Sequence, residues 1–308
     1  MFYNTQNLFD IYDDPLTDDN DFTPGGVLRW NYSRYIKKIN SLYQVITAAG
    51  EWAPPAVVAL CEVENRKVLE DLIRNTYLSK YDYRIIHEES SDQRGIDVCL
   101  IFRQDCAKEL SSEYFIPVQV QKEEFSGRSV LYTRLLVCND TLHLIVNHWP
   151  SRRGGVLAGE DLRIEIAGFV KGLCDSIIVA NNGRAKVIIC GDFNATPDDR
   201  VIKLLSEIEK PGIKLINLSG YATEKGEGTY RYKGIWEMID QIIVSESLLD
   251  NKSGLITEAD NFRIFSPDFL LEKDPGYPGF LPFSTYRGYR YHGGFSDHLP
   301  VIIDLQVK

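Results

Sequence analysis

The chain has 308 residues, 44% of them hydrophobic and 25% charged, and 34 Lys and Arg against 44 Asp and Glu give a formal net charge of −10. This balance is typical of a soluble globular protein, and 17 Tyr, 14 Phe and 4 Trp exclude a disordered chain. No apolar run approaches the roughly 20 residues of a membrane span. The acidic balance counts against nonspecific coating of DNA, which needs a basic surface.

Hydrophobic periodicity predicts the secondary structure along the chain. Apolar residues at helical spacing predict helices at 31–49, 66–76, 160–180 and 198–209. Apolar or alternating runs predict strands at 56–60, 82–87, 96–103, 113–120, 129–138, 141–147, 186–190, 240–244 and 301–305. The acidic segment 10–26 is expected to be a solvated loop. The Pro-, Gly- and Tyr-rich segment 262–295 shows little regular pattern, and a loop of that length is more often functional than incidental.

The order of these elements favours one fold class. Strands occur in clusters with hairpins, whereas a doubly wound parallel sheet would require a stricter alternation of strand and helix. We therefore expect an α/β fold of the four-layer α/β/β/α sandwich type, with two mixed sheets packed face to face and helices outside. No break in composition indicates a linker, so a single domain over 1–308 is expected. The six cysteines contain no CxxC pair and indicate neither a disulfide framework nor a zinc knuckle.

Polar side chains interrupt or end the apolar strands at several separate places. These side chains belong to Asn4, Asn7, Glu62, Asn147, His148, Asp192, Asn194, Asp240, Ser296, Asp297 and His298. Any one of them alone would be interpreted as a cap, a turn residue or a satisfied structural histidine. Because buried carboxylates and imidazoles are costly unless they are paired or bind a metal, several together predict one polar site at one end of the strands.

The residue types indicate the chemistry of that site. The carboxylates are Glu62, Asp192, Asp240 and Asp297, and as hard oxygen donors they suit Mg²⁺ or Mn²⁺ better than zinc. The neutral partners are Asn4, Asn194, His148 and His298. Asparagine can orient phosphate oxygens or water without adding charge, and histidine can donate to a phosphoryl oxygen as its charge grows. The set therefore predicts metal-assisted hydrolysis of a phosphate ester.

Six motifs in this order resemble the endonuclease/exonuclease/phosphatase superfamily, which includes pancreatic-type deoxyribonuclease, abasic-site endonuclease, inositol polyphosphate phosphatases and bacterial sphingomyelinases. The motifs are YNTQNLF at 3–9, LCEVEN at 60–65, NHWPS at 147–151, GDFNATP at 191–197, IDQIIVS at 239–245 and FSDHLP at 295–300. GDFN and SDHLP together are highly specific, and the resemblance covers nearly the whole chain. It points to a deoxyribonuclease-like, metal-dependent phosphohydrolase of a bacterial branch.

The resemblance implies how the metal would be held. Glu62 would be the principal ligand, assisted by Asn4 and Asp297. Asp192 would orient or deprotonate the attacking water, or bind a second metal. The implied cofactor is Mg²⁺ or Mn²⁺, as one or two ions.

The resemblance also implies roles around the phosphate. Asn194 would hold the scissile phosphate, and His298 would contact phosphate while paired with Asp240. His148 would stabilise the transition state or aid the leaving group.

Five further polar residues are candidates for substrate binding, and they are Asn7, Arg94, Asn147, Arg152 and Arg153. An arginine fork at 152–153 would grip a non-bridging phosphate oxygen, although a solvated turn there stays equally open. Asp97 lies in an apolar run, which predicts a buried partner, with an arginine as one candidate.

Together these observations favour a nuclease-like phosphodiesterase that works by metal-assisted, in-line attack of water. The alternatives are a phosphomonoesterase or lipid head-group phosphodiesterase, and, in another class, a noncatalytic binding module on the same fold. The expected partner is a phosphate ester, with nucleic acid as one option, and no obligate protein partner is inferred. The family's first strand usually has more apolar residues before the asparagine, so we expect a cytoplasmic protein or an exported one whose signal peptide is absent here.

Overall fold

The first of two six-stranded sheets combines the start of the chain with its end. The computed structural model describes residues 1–117, 128–152, 159–206, 214–250 and 254–308. The strands of this sheet are β1 (Phe2–Leu8), β2 (Val57–Val63), β3 (Tyr83–Ile86), β4 (Asp97–Arg103), β14 (Phe262–Ile264) and β19 (Val301–Ile303). Their order is β14-β19-β1-β2-β4-β3, and β1 and β2 run parallel. All other neighbours in this sheet are antiparallel.

The second sheet is built from the middle of the chain. Its strands are β5 (Lys108–Phe115), β6 (Val130–Val137), β7 (Asp140–His148), β8 (Lys186–Asp192), β9 (Leu215–Asn217) and β12 (Asp240–Ser245). The order is β5-β6-β7-β8-β12-β9, and again one pair, β7 and β8, runs parallel. Each sheet therefore places the carboxyl ends of two parallel strands side by side, which is where polar strand-end residues can meet.

Helices α1 (Tyr32–Ala49) and α2 (Arg66–Arg74) pack on the outer face of the first sheet, and α3 (Glu160–Ala180) and α4 (Arg200–Ser206) pack on that of the second. Two short helices are α5 (Gly220–Glu224) and α6 (Glu246–Leu249), and Leu248 of α6 lies in the apolar layer between the sheets. Side chains of Asn31 and Asn65 cap α1 and α2 by accepting from backbone N–H groups of the first turn. Short 3₁₀ turns lie at Asn20–Phe22, Tyr77–Tyr81, Ala259–Asn261 and Asp268–Leu270. Within the described ranges, no helix is both long and apolar enough to cross a membrane.

Three apolar layers alternate with these elements and confirm the predicted four-layer α/β/β/α sandwich. One layer lies between helices α1 and α2 and the first sheet, where Leu42 and Leu60 are both fully buried. The middle layer joins the two sheets and contains Leu100 and Val146. The third lies between α3, α4 and the second sheet, and Val170 is fully buried there.

The segment 262–295 differs from the expected lack of regular structure. Besides β14 it contains two hairpins, β15 (Leu271–Lys273) with β16 (Phe280–Pro282) and β17 (Tyr286–Arg287) with β18 (Arg290–Tyr291). Strands of two or three residues are too short to produce a period-two signal, which explains why the sequence pattern missed them. Two further short pairs are β10 (Tyr230–Tyr232) with β11 (Ile235–Glu237) and β13 (Leu255–Ile256) with β20 (Gln306–Val307).

Two predicted elements are shifted or only partly described. The strand expected at 113–120 is β5 at Lys108–Phe115, and 118–120 lie outside the described residues. The helix expected at 198–209 is α4, and 207–209 also lie outside them.

Candidate active site

Strand register brings three of the predicted residues into one row across the second sheet. His148 ends β7 directly opposite Asp192, which ends β8, and Asp192 in turn lies opposite Asp240 at the start of β12. Directly opposite residues of neighbouring strands point to the same face of a sheet. All three are buried, with exposures of 5%, 2% and 0%.

A glycine makes this row possible. A Cβ atom at Gly191 would lie 2.3 Å from the backbone carbonyl oxygen of Asn147, so only glycine allows β7 and β8 to approach here. The Asn147 side chain is used inside the sheet, where its amide donates to the Cys190 carbonyl (3.4 Å) and accepts from Trp149 Nε1 (3.2 Å). Asn147 is fully buried, and these contacts point to a structural use of its amide.

The first sheet contributes Asn4 and Glu62 to the same place. Asn4 Nδ2 donates to Asp192 Oδ2 (3.0 Å), which joins β1 to β8. Glu62 has a left-handed backbone (φ +59°) where the register of β2 against β4 shifts. Such an irregularity redirects a side chain, and here Glu62 Oε1 lies 3.7 Å from His148 Nε2. The other oxygen, Oε2, accepts from the Asn7 backbone N–H (3.0 Å).

His298 and Asp240 form a buried hydrogen-bonded pair. Their Nδ1 and Oδ2 atoms are 2.7 Å apart, and Asp240 Oδ1 has no hydrogen-bond partner among the described residues. His298 Nε2 lies 3.9 Å from Asp192 Oδ2 and 3.9 Å from Asp297 Oδ1. Asp192 Oδ1 accepts from the Asn194 backbone N–H (2.9 Å), so both Asp192 oxygens are held in place.

Burial and neighbouring charges give these groups different protonation behaviour. Burial, with Asp240 and Glu62 acting in the same direction, raises the pKa of Asp192 to about 7. Burial alone would lower the pKa of His298, but the charges of Asp240, Asp192 and Asp297 outweigh it and raise that pKa well above its usual value. Burial, and then Arg128 and Arg94, hold the pKa of His148 well below the ordinary range. The pKa values of the two imidazoles are therefore shifted in opposite directions, near a carboxyl group whose pKa is raised to about 7.

The chain over nearly its whole length matches a known protein family. A model described as Endonuclease/Exonuclease/phosphatase family matches residues 1–307. The chain belongs to the endonuclease/exonuclease/phosphatase family. This match confirms the expected family, and the solved structures below confirm the expected fold. Members of this family are metal-dependent phosphoesterases. A search of curated protein sequences gave no match.

Solved structures show the same fold at low sequence identity. A Bacteroides vulgatus endonuclease/exonuclease/phosphatase is 15% identical with a TM-score of 0.62, and the match covers 100% of this chain and 97% of that one. A mannosyl-6-phosphatase from Bacteroides thetaiotaomicron is 14% identical with a TM-score of 0.63, covering 99% and 98%. Humanised D. rerio TDP2 is 15% identical with a TM-score of 0.60, covering 90% and 94%.

Arg128 is a residue of this candidate site that the sequence pattern did not identify. Its Nη1 atom lies 3.1 Å from His148 Nε2 and donates to the Trp149 carbonyl (3.0 Å), while Nε donates to Asp92 Oδ2 (3.0 Å). Because guanidinium only donates, His148 Nε2 must accept, which leaves its proton on Nδ1. The only available signal was an arginine at the start of an apolar strand, which is too common to be specific.

The predicted substrate-binding residues have different surroundings. Arg94 Nη2 donates to Asn7 Oδ1 (2.6 Å), next to the contact between Asn7 and Glu62. Arg152 donates through Nε to the Asn194 carbonyl (2.6 Å) and through Nη2 to Asp199 (2.6 Å), so it supports the loop after β8. Arg153 lies outside the described residues.

The donor set fits a hard divalent cation. Among the described residues, Glu62 Oε1 accepts no backbone N–H, unlike Oε2, and the Asp297 side chain is 41% exposed. Burial and the charge of Glu62 raise the pKa of Asp297, while His298 acts in the opposite direction. A second donor group overlaps this one, since ligand atoms of Asp192, Asp240 and His298 lie within 4.8 Å of one another. In that group His298 Nδ1 and Asp240 Oδ2 already bond to each other, and Glu62, Asp297 and Asp192 are the other carboxylates that could hold a cation.

Proposed function

We propose that this chain is a Mg²⁺- or Mn²⁺-dependent phosphodiesterase of nuclease-like type. The observation that carries the proposal is the row of His148, Asp192 and Asp240, closed from the other sheet by Glu62. A carboxylate that titrates near neutrality, two imidazoles and an open oxygen-donor group are what metal-assisted hydrolysis of a phosphate ester requires.

Asp192 is suited to orient and deprotonate the attacking water. Its two oxygens are fixed by Asn4 Nδ2 and the Asn194 N–H, so its remaining lone pairs have a defined direction. A pKa of about 7, raised by burial, makes this carboxylate a stronger base than an exposed one.

His298 is suited to stabilise charge on the phosphoryl group. Asp240 accepts from Nδ1, and the raised pKa keeps the second proton on Nε2, where it can donate to a phosphate oxygen. Asn194 Nδ2 donates one N–H to the Trp149 carbonyl (3.0 Å), and its other N–H is available to the scissile phosphate.

Glu62 and Asp297, with Asn4, are the residues we propose to hold the metal. When bound, a divalent cation would act as a Lewis acid on the phosphoryl oxygens. Asn4 Oδ1 already accepts from the Gln6 N–H (2.9 Å), which fixes the direction of its second lone pair.

A phosphomonoesterase is the second candidate, favoured by the two arginines near His148. Arg128 Nη1 lies 3.1 Å from His148 Nε2, and Arg94 bonds to Asn7 beside Glu62, so both positive charges lie close to the site. A monoester dianion carries more negative charge than a diester and would gain more from these two guanidinium groups.

The proposed chemistry is tested by Glu62→Gln and Asp192→Asn, each of which preserves shape and removes a charge. We expect each to lower divalent-dependent hydrolysis of bis(p-nitrophenyl) phosphate by about 10³-fold or more. Asp198→Asn is the matched control, because this side chain is 81% exposed and lies only six positions from Asp192. Full activity in either site variant, or after chelation, would refute the proposal.

The two candidate substrate classes are separated by comparing p-nitrophenyl phosphate with its diester. A panel of plasmid DNA, RNA, abasic duplex, sphingomyelin and inositol phosphates then identifies the natural class. Preference for the monoester or for inositol phosphates would exclude the nuclease-like assignment and support the second candidate.

A further inference from the structure

Lys38 is a buried lysine on the apolar face of helix α1. It lies one turn from Tyr35 and Leu42 and next to Ile39, all of which are buried, and its own exposure is 1%. Lysine is almost never fully buried without partners, since removing an ammonium group from water is costly. Packing in the apolar layer therefore does not explain why a lysine stands at this position, and its polar partners have to be considered.

Both contacts of the Lys38 amine lie on the segment that leads into the proposed metal site. Nζ donates to Thr285 Oγ1 (2.6 Å) and to the Phe295 carbonyl (2.5 Å). Thr285 Oγ1 also donates to the Phe295 carbonyl (3.0 Å), so three groups close a triangle of hydrogen bonds. Asp297 lies two residues after this carbonyl.

Strand β1 holds the same segment from the other side. Gln6 Oε1 accepts from the Thr285 N–H (2.7 Å), and Gln6 Nε2 donates to the Tyr286 carbonyl (2.9 Å). Ser296 Oγ donates to the Asn4 carbonyl (2.8 Å). The turn that carries Asp297 is thus fixed between α1 and β1, and Lys38 supplies the α1 side.

The tether does not depend on the charge of the amine. Burial lowers the pKa of Lys38 to about 7, against the opposing effect of Asp297 and Glu62. A neutral amine still has two N–H groups, one for each of its two acceptors. The hydrogen bonds to Thr285 and Phe295 can therefore persist when a divalent cation adds positive charge nearby.

We propose that Lys38 is a positioning residue for the metal site, which acts by fixing the Phe295 carbonyl and so the direction of Asp297. The inference rests on the proposed function, in which Glu62 and Asp297 hold a divalent cation. Groups that orient metal ligands typically change metal affinity by about 10- to 100-fold when they are removed.

The first test measures Mn²⁺ affinity by calorimetry in the full chain. Lys38→Met removes both donors and should weaken Mn²⁺ binding by about tenfold. Lys37→Met is the matched control, because Lys37 is the exposed neighbour on the same helix, and it should bind within about twofold of wild type. Unchanged affinity in Lys38→Met would overturn the inference.

A second pair of variants tests the same triangle without changing the lysine, and it serves if Lys38→Met does not fold. Thr285→Val removes the hydroxyl at nearly constant volume, whereas Thr285→Ser retains it. We expect Thr285→Val to weaken Mn²⁺ binding and Thr285→Ser to bind Mn²⁺ like wild type. A packing role alone would not produce this difference, because serine has lost the methyl group and kept the hydroxyl. Equal affinities of these two variants would also overturn the inference.

Failure of the inference is distinguishable from failure of the proposed function. A wild-type chain that binds Mn²⁺ together with an unaffected Lys38→Met overturns the role of Lys38 alone. A wild-type chain that binds no Mn²⁺ overturns the metal dependence, and the inference with it.

Discussion

Two buried, hydrogen-bonded His–Asp pairs lie in the described part of the chain, and only one of them belongs to the proposed site. His298 Nδ1 and Asp240 Oδ2 are 2.7 Å apart, and His87 Nε2 and Asp97 Oδ2 are 3.0 Å apart. The two pairs are about equally buried, since the side chains of the first pair are 7% and 1% exposed and those of the second pair are 2% exposed each. A buried His–Asp contact is therefore not by itself a catalytic feature.

The surroundings of the two pairs differ. In the site pair, His298 Nε2 faces Asp192 and Asp297, and Asp240 Oδ1 has no partner within the described part of the chain. In the second pair, Asp97 Oδ1 accepts from the Ser90 N–H (2.9 Å), so both of its oxygens are used. Asp97 was expected to have a buried partner, with arginine as a candidate, and the partner is His87. Unfilled hydrogen-bonding capacity distinguishes a pair that can act on a ligand from one that holds a fold.

The largest expected effect comes from matched substitutions in the two pairs. Asp240→Asn should lower kcat by about 10²–10⁴-fold, because His298 loses the carboxylate that holds its orientation and charge. Asp97→Asn should leave kcat within about threefold but cost about 1–3 kcal/mol of unfolding free energy, since buried hydrogen bonds are lost. Steady-state kinetics and urea unfolding of both variants test this, and equal losses of kcat would remove the distinction.

A second prediction concerns metal binding by the two regions. His87, Glu89 and Asp97 also bring ligand atoms within 4.8 Å of one another, but Asp97 is closed by hydrogen bonds and Glu89 is exposed. We expect Glu62→Gln to weaken Mn²⁺ binding by about 100-fold and Glu89→Gln to leave it unchanged. Calorimetric titration of both variants with Mn²⁺ tests this prediction. If tight Mn²⁺ binding persisted in Glu62→Gln and disappeared in Glu89→Gln, the metal site would lie at His87, Glu89 and Asp97 instead.

Sequence alone identifies the polar residues at strand ends, because burial makes them costly and their types indicate one chemistry. Asp192, Asp240 and His298 stand out for this reason, and strand pairing then brings them together. The left-handed backbone of Glu62 could not be predicted from sequence spacing, because it depends on how the register of β2 shifts against β4. The direction of this side chain is a tertiary property.

The residues that sequence reasoning missed act through contacts between distant parts of the chain. Lys38 and Thr285 are 247 positions apart, and Arg128 and Asp92 are 36 apart. A lysine on the apolar face of a predicted helix was a usable signal, since such a residue must find a buried partner. Which partner it finds depends on the segment 262–295, whose short strands have no periodic signature.

The smallest expected effect is the pH dependence of the unfolding free energy that arises from Lys38, the buried lysine near the His298–Asp240 pair. The pKa of Lys38 is about 7 in the folded chain because of burial, whereas an unfolded lysine keeps a value near 10.5. Between these values the unfolded chain binds a proton that the folded chain lacks, so this contribution to stability is full above pH 10.5 and is lost as the pH falls towards 7.

From pH 7.5 to 9, wild type should therefore gain about 2 kcal/mol of unfolding free energy relative to Lys38→Met. Urea unfolding of both proteins and of Lys37→Met at the two pH values isolates the effect, because all other groups titrate in each of them. Parallel pH curves for wild type and Lys38→Met would show that the amine keeps its ordinary pKa. The unfolding free energies of wild type and Lys38→Met should therefore approach each other as the pH rises. Together with weaker Mn²⁺ binding in Lys38→Met, this result would mean that Lys38 fixes Asp297 and lowers the stability of the chain at neutral pH.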